Sequence, residues 1–397
     1  MTTILPRKDL FVLPEGIIYL DGNSLGVLPK AASDRALQTI NQEWGQHLIR
    51  AWNSAGWMDL PRVVGNRIAR LIGAPEGSVA TGDTLSIKVY QALAAALKMR
   101  PDRRTILSDS GNFPSDLYMA QGLIDTIGQG YRLKTVTHGE MLGAIDDDTA
   151  VVMLTHVDYR SGQMYDMKAV TQAVQSAGAV MLWDLAHSAG AVPVDLTASQ
   201  AEFAVGCSYK YLNGGPGAPA FIYVRPDIVS DIQPALSGWL GHDAPFAMEH
   251  DYRPAFGSER MRVGTPPIVQ LAILDAALDV WDDVDMADLR NASVALSECF
   301  IEEVEKRCPD LELASPRDPA RRGSQVSFRF ENGYAAIQAL IARGVIGDFR
   351  EPNIMRFGFT PLYLDFDDVR KAAQILGEIM DTDAWNDPKF MTRAKVT

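Results

Sequence analysis

Ser208-Tyr209-Lys210-Tyr211-Leu212-Asn213-Gly214-Gly215-Pro216-Gly217 is the stretch on which the reading of this chain turns. It follows a short apolar run, Phe203–Gly206, and ends in a glycine-rich loop. A lysine at the end of a buried strand is partly desolvated, which favours its neutral amine. The neutral amine is the form that condenses with a carbonyl. Glycines let backbone approach a ligand closely. Taken alone, the stretch reads equally well as a surface loop that happens to carry a lysine.

Twenty-six residues upstream lies Asp184, at the end of the apolar run Ala179–Trp183 and just before Leu185-Ala186-His187-Ser188-Ala189-Gly190. A carboxylate at the end of a buried run is costly unless it is paired. A protonated pyridine nitrogen would pair it, and so would a helix terminus or a nearby His or Arg. His187 could bond Asp184 or pack over a bound ring. Further runs at Thr105–Ser108, Ala150–Leu154 and Ala220–Val224 are separated by helical patterns at 59–72, 84–99, 114–126 and 166–177. Runs of this length between helices predict a mainly parallel sheet covered on both faces. Such sheets bind ligands beyond the carboxyl ends of their strands, where Lys210 and Asp184 fall.

Working outward, Pro29 opens a predicted helix to about Arg50, and 226–267 reads as loops. Helices are predicted near 267–282, 286–306, 333–343 and 366–381, with strands near 324–330 and 354–358. The 397 residues exceed one compact core. We expect a large domain over 51–275 and a small α+β domain over 276–397. Residues 1–50 are expected to pack with the small domain or a dimer partner. An apolar fraction of 47% and a charged fraction of 22% are those of a globular protein, and a net charge of −13 argues against nucleic acid or an anionic membrane as partner. Three cysteines, Cys207, Cys299 and Cys308, without a C-x-x-C pair, argue against a disulfide framework or a metal site. No signal peptide or membrane span is read, so the cytoplasm is the expectation.

An Asp at one strand end and a Lys at the next resembles the fold-type-I pyridoxal-phosphate enzymes, the aspartate aminotransferase-like fold. Four motifs sharpen that resemblance to the kynureninase family: Tyr19–Gly26, Phe113-Pro114-Ser115-Asp116, Trp183–Gly190 and Cys207–Gly217, with Arg356 as a fifth match. The resemblance implies hydrolysis of L-kynurenine to anthranilate and L-alanine in tryptophan degradation. It implies pyridoxal 5′-phosphate as cofactor, a small amino acid as substrate and a homodimer with shared active sites. Lys210 would carry the cofactor, Asp184 would pair with its ring nitrogen, and Phe113 would stack on the ring with Asp116 and His187 nearby. Leu85 (by its backbone N–H) and Ser86 would hold the phosphate, as a helix N-terminus can. Tyr209 would bind phosphate and is a candidate for activating water. Thr155 would sit near the cofactor, and Trp239 and Thr265 would reach the neighbouring subunit's phosphate region. Arg356, flanked by apolar residues, would take the substrate carboxylate bidentately, with Ser24 beside it. Some members carry Asn where this chain has Thr265, near the substrate ring, which implies a preference for kynurenine over its 3-hydroxy form.

Rivals remain at this stage. A cysteine desulfurase or selenocysteine lyase needs a nucleophilic cysteine on a mobile loop, and none of the three looks so placed. An aminotransferase uses the same Lys, Asp and Arg. A non-catalytic ligand-binding protein could use this scaffold. A nicotinamide-dependent enzyme is disfavoured, because no G-x-G-x-x-G follows an early strand.

Overall fold

The computed structural model describes residues 5–393. In chain order its strands are β1 (Ile18–Tyr19), β2 (Val79–Thr81), β3 (Thr105–Asp109), β4 (Arg132–Val136), β5 (Thr149–Thr155), β6 (Val180–Asp184) and β7 (Phe203–Gly206). There follow β8 (Phe221–Val224), β9 (Glu312–Leu313), β10 (Gln325–Arg329), β11 (Val345–Ile346), β12 (Asp348–Arg350) and β13 (Ile354–Gly358).

The central sheet has the order β2-β8-β7-β6-β5-β3-β4. Strands β4, β3, β5, β6 and β7 run parallel, and β8 is antiparallel to both its neighbours. The expected mainly parallel sheet is therefore present, with one reversed strand. Parallel neighbours need crossovers. Helices Leu85–Met99, Pro114–Ile127 and Met167–Ser176 supply them. Both faces are covered: along β6, Val180 and Leu182 join one apolar cluster, while Met181 and Trp183 join the other. That is why these runs are apolar at every position instead of alternating.

Two strands of this sheet escape the sequence reading. Strand β2 is only three residues long. Strand β4 is an edge strand, Arg132-Leu133-Lys134-Thr135-Val136, bonded to β3 alone among the described residues. Charged residues on an edge strand discourage pairing with another chain, and they also remove the dense apolar signal. The single helix expected from Pro29 to Arg50 also needs correction. It is an α-helix over Lys30–Gln38, a π-helix over Thr39–His47 and a 3-10 turn over Leu48–Arg50. Arg35 bonds Thr39 at 2.8 Å and Glu43 at 2.6 Å, and Trp57 Nε1 donates to Glu43 at 2.8 Å. These side-chain bonds brace the widened turn.

The second sheet, β12-β13-β10-β9, is antiparallel and is flanked by helices Met286–Arg307, Gly333–Ile341 and Phe366–Asp381. Strands β9, β11 and β12 are too short to be seen in the sequence. The N-terminal segment is tied to this part of the chain. Strand β1 pairs in parallel with β11, and Arg7 N–H donates to Leu362 at 2.7 Å. Lys8 bridges Asp365 at 2.5 Å and Asp368 at 2.6 Å, the two residues of the capping box that starts the last long helix. Residues 226–267 hold short 3-10 turns between irregular stretches.

Past β1 the chain runs against the lysine loop. Gly26 N–H donates to Tyr209 at 2.8 Å. A Cβ on Gly26 would lie 2.7 Å from Asn213 Cα and would collide with the Lys210 carbonyl. Gly26→Ala should therefore destabilise the protein by about 1–3 kcal/mol. Denaturant unfolding would measure this, and an unchanged midpoint would show that the N-terminal loop is free to shift.

Candidate active site

The parallel strands β3, β5, β6 and β7 end on one side of the sheet, and each delivers a functional side chain there. Thr155 closes β5 and Asp184 closes β6, and the two are register partners. Lys210 lies four residues beyond β7, and Phe113 lies four beyond β3. Lys210 and Asp184 are both buried, which rules out the reading of Lys210 as a surface-loop lysine.

Lys210 Nζ lies 3.0 Å from His187 Nε2 and 5.9 Å from the centre of the Phe113 ring. Burial, with Lys210, Arg356 and Arg350 nearby, holds the His187 imidazole far below its ordinary pKa, so it is the neutral ring that meets the lysine. Its other ring nitrogen, Nδ1, is buried without a partner. Asp184 Oδ1 accepts from Ala186 N–H at 2.8 Å, whereas Oδ2 has only Thr155 Oγ1 at 3.4 Å. Burial raises the Asp184 pKa, against the pull of Lys210 and of these hydrogen bonds. Asp116 is 1% exposed, its Oδ2 is unpartnered, and burial together with Asp184 drives its pKa well up. Polar atoms buried without partners are rare in folded proteins and call for a ligand or ordered water. Three under-bonded groups around one lysine fit a polar ring with a protonated nitrogen.

A few steps away two helix N-termini converge. Helices Leu85–Met99 and Pro114–Ile127 begin without side-chain caps, at Thr84 and Phe113, and their first-turn serines meet, Ser86 Oγ to Ser115 Oγ at 3.0 Å. Free N–H groups and aligned dipoles at such termini favour an anion. The cavity over Leu85 is also lined by Ser24, Thr84, Cys207, Tyr209 and Gly217. These residues fit a phosphorylated cofactor, phosphate at the helix starts and ring between Phe113 and Asp184. Burial, with Cys207 and Asp184 close by, pushes the Tyr209 phenol above its ordinary value. Tyr209 is thus protonated at neutral pH, the form in which its hydroxyl can donate a hydrogen bond to an anion.

Arg356 is 1% exposed and is already heavily engaged. Nε donates to Asp348 Oδ1 at 2.6 Å, Nη2 donates to Asp348 Oδ2 and to Ser24 Oγ, and Nη1 donates to the Tyr159 carbonyl at 2.6 Å. The bidentate edge expected to face a substrate therefore faces Asp348. The Tyr159 ring packs edge-on against Phe113, centres 5.1 Å apart, which links this arginine to the ring site. Trp239 and Thr265 stand apart. Trp239 is 43% exposed and packs on Phe246, and Thr265 is exposed. Among the described residues neither makes a hydrogen bond or ring contact to the Lys210 group.

Sequence reasoning missed Asn112, Asp348 and Tyr159, and gave Ser115 no role. Asn112 Oδ1 accepts from Thr155 Oγ1 at 2.5 Å and from Phe113 N–H at 2.7 Å, and so fixes both. An Asn just before a helix start often bonds nearby backbone N–H groups, and Asn112, ahead of Phe113-Pro114, is readable on that ground. Tyr159 carries no such signal, since its partners Phe113 and Arg356 are remote in sequence, and Asp348, though near Arg356 in the chain, lies on a strand too short to show that the two pair.

The fold is that of fold-type-I pyridoxal-phosphate enzymes. A cysteine desulfurase from Thermococcus onnurineus NA1 superposes with a TM-score of 0.81 at 17% identity, covering 96% of this chain and 100% of that one. A C-DES variant with glycine covalently linked to its PLP cofactor gives 0.80 at 19% identity, covering 94% and 99%. At these identities the likeness is one of fold, with Thr155 and Asp184 at adjoining strand ends and Lys210 beyond the next strand. The resemblance to desulfurases stops at the fold: burial pushes the thiols of Cys207 and Cys308 up to about 11 and raises Cys299, so none is a ready thiolate. A family model described as the kynureninase C-terminal domain matches residues 289–376. Kynureninase from Pseudomonas fluorescens is 54% identical over 100% of this chain and 97% of its own length. Kynureninase from Burkholderia pseudomallei (strain 1106a) is 53% identical over 99% and 96%. The chain belongs to the kynureninase family.

Asp21, beside Arg356 and Arg350, has its pKa raised to about 7, first by burial and then by Asp348. A carboxyl raised above its unfolded value of 3.8 stabilises the fold while protonated, and that contribution is lost as pH rises towards and through about 7. Asp21→Asn removes the ionisation. Its stability relative to the parent should therefore improve between about pH 5 and about pH 8. Urea unfolding at both values tests this, and an equal gap at each would refute it.

Proposed function

We propose that this protein hydrolyses the Cβ–Cγ bond of L-kynurenine, giving anthranilate and L-alanine, with pyridoxal phosphate held by the Lys210 group. What carries the reading is the alignment with kynureninases at 54% identity along the whole chain. The convergence of Lys210, Asp184 and Phe113 at the strand ends supports it.

When bound, the cofactor supplies an electron sink for charge developing at the substrate's Cα and Cβ. The protein's part is orientation and proton traffic. Asp184, steadied by Ala186 N–H, would pair with the cofactor's ring nitrogen. Phe113, fixed at its backbone by Asn112, would stack on the ring. Leu85 N–H, Ser86 and Ser115 would hold the phosphate. Lys210 takes the proton from Cα, and neutral His187 beside it accepts the ammonium's hydrogen bond. Tyr209 donates a proton. Asp116 and Thr155 line the site. Arg356 and Ser24 orient the substrate carboxylate.

The working unit in this proposal is a homodimer, in which Trp239 and Thr265 of the partner subunit complete each site. Large apolar side chains left uncovered support it: Leu37 (57% exposed), Trp44 (60%) and Ile49 (77%) on one segment, Met248 (72%) and Phe256 (90%) on another. Such a surface calls for a partner. Among the described residues no helix is long and apolar enough to cross a membrane. The three free cysteines suit the reducing cytoplasm, where we place the protein.

Purified holoenzyme should release anthranilate, seen by fluorescence, and alanine in equal amounts from L-kynurenine. It should show a lower kcat/KM for 3-hydroxykynurenine, and Lys210→Ala should abolish turnover. Absence of anthranilate with the parent enzyme would sink the reading. A shared site makes a second demand. Lys210→Ala and Trp239→Ala proteins, each slow or inactive alone, should regain up to about a quarter of parental activity when their subunits are exchanged. No recovery in verified mixed dimers would place Trp239 outside the partner's site.

A further inference from the structure

The two short strands β12 and β13 put three charged side chains on one face. Asp348 is the register partner of Arg356, and Arg350 lies two residues along β12. Asp348 binds both arginines: Arg356 on its Nε–Nη2 edge, and Arg350 Nη2 at 2.8 Å. Ser24 Oγ donates to Asp348 Oδ2 at 2.6 Å and accepts from Arg356 Nη2 at 2.9 Å. The side chains of Asp348 and Arg356 are each 2% exposed, whereas that of Arg350 is 34% exposed. A guanidinium has five N–H donors. Asp348, Ser24 and Tyr159 occupy four of those on Arg356, which leaves one N–H on Nη1.

A buried arginine without its carboxylate is strongly unfavourable, so Asp348 and Arg356 hold one another. The charge balance matters equally. Two arginines share one carboxylate, which leaves a single positive charge unmatched while Asp21 is protonated. That surplus fits one monoanionic carboxylate, held by the free Arg356 N–H and by Arg350, beside a Ser24 hydroxyl whose proton stays on Asp348.

We infer that Asp348 is a positioning residue for the substrate carboxylate, holding Arg356 by one edge so that its remaining donor and Arg350 form the receptor. This rests on the proposed kynurenine hydrolysis. If Asp348 loses its charge, Asp21 is left facing the same arginines as a competing partner and draws Arg356 away from the ligand. An Asn at this position would also turn an N–H towards an arginine N–H.

The test uses the holoenzyme of the parent and of Asp348→Asn, with L-kynurenine as substrate and with L-alanine and L-alaninamide as inhibitors. Asp348→Asn should raise KM for L-kynurenine about tenfold or more, as expected for loss of a charged hydrogen-bond partner, with kcat changed less than about threefold. The Ki of L-alanine should rise by a similar factor, while that of L-alaninamide, which lacks the carboxylate, should move less than about twofold. The cofactor's visible spectrum should be unchanged. If Asp348→Asn does not fold, Arg350→Gln takes its place, with a few-fold weakening for L-alanine only. Equal losses for both inhibitors, no loss for either, or tighter L-alanine binding would overturn the inference. A parent enzyme inert towards L-kynurenine would overturn the reaction instead, and the two inhibitors, followed by their perturbation of the cofactor spectrum, would still decide the role of Asp348.

Discussion

The buried pair formed by Asp184 and Lys210 is the constraint on which the rest depends. Two ionisable groups are placed at the ends of adjacent strands in a sheet that excludes water from both faces. Burial raises the energy of the carboxylate, and Lys210 partly offsets it. The surroundings are arranged to keep the cluster viable: Ala186 N–H on one oxygen of Asp184, Thr155 near the other, and His187 against the amine. The residual under-bonding at Asp184, Asp116 and His187 is what the proposed cofactor ring would resolve. The same unmet polar demand that costs the fold stability would be the driving force for holding that group.

A second arrangement of opposite logic lies on the antiparallel sheet. There Asp348, Arg356, Arg350 and Ser24 are mutually satisfied, and the site keeps only a small surplus of charge and donors. The proposed ring site thus leaves several polar atoms to be met, as suits a group that stays. The proposed carboxylate site leaves few, as suits a substrate and product that must leave. Tyr159 joins the two, its carbonyl on Arg356 and its ring on Phe113. The N-terminal segment joins them again, since Ser24 bonds Arg356 while Gly26 bonds Tyr209.

Much of this was legible beforehand for identifiable reasons. Strands β5, β6 and β7 are buried on both faces, so their interiors are apolar at successive positions and the runs stand out. Helix Phe366–Asp381 lies where the helical pattern put it, near 366–381, and the structure adds a capping box of Asp365 and Asp368 at its start. What escaped reading was short, exposed or irregular: the edge strand β4, the two- and three-residue strands, and the π-helix over Thr39–His47, which keeps a helical pattern while changing the turn. In the site, the direction of the Arg356 fork was misjudged because the strand bearing Asp348 is three residues long and carries no periodic signal.

The sequence by itself determined the alternation of strand and helix, the lysine and aspartate at adjoining strand ends, and the reagents available to the reaction. These follow from local patterns, since burial on both faces and helix starts each leave a mark within a few residues. Only the tertiary structure decided how the reagents are paired. Ser24 meets Asp348 across 324 residues of chain, Gln325 meets the Tyr159 carbonyl across 166, and Ser86 meets Ser115 where two helices happen to converge. Such pairings are set by how the sheets and helices pack, and a contact between distant segments leaves no period or motif in either one to announce it.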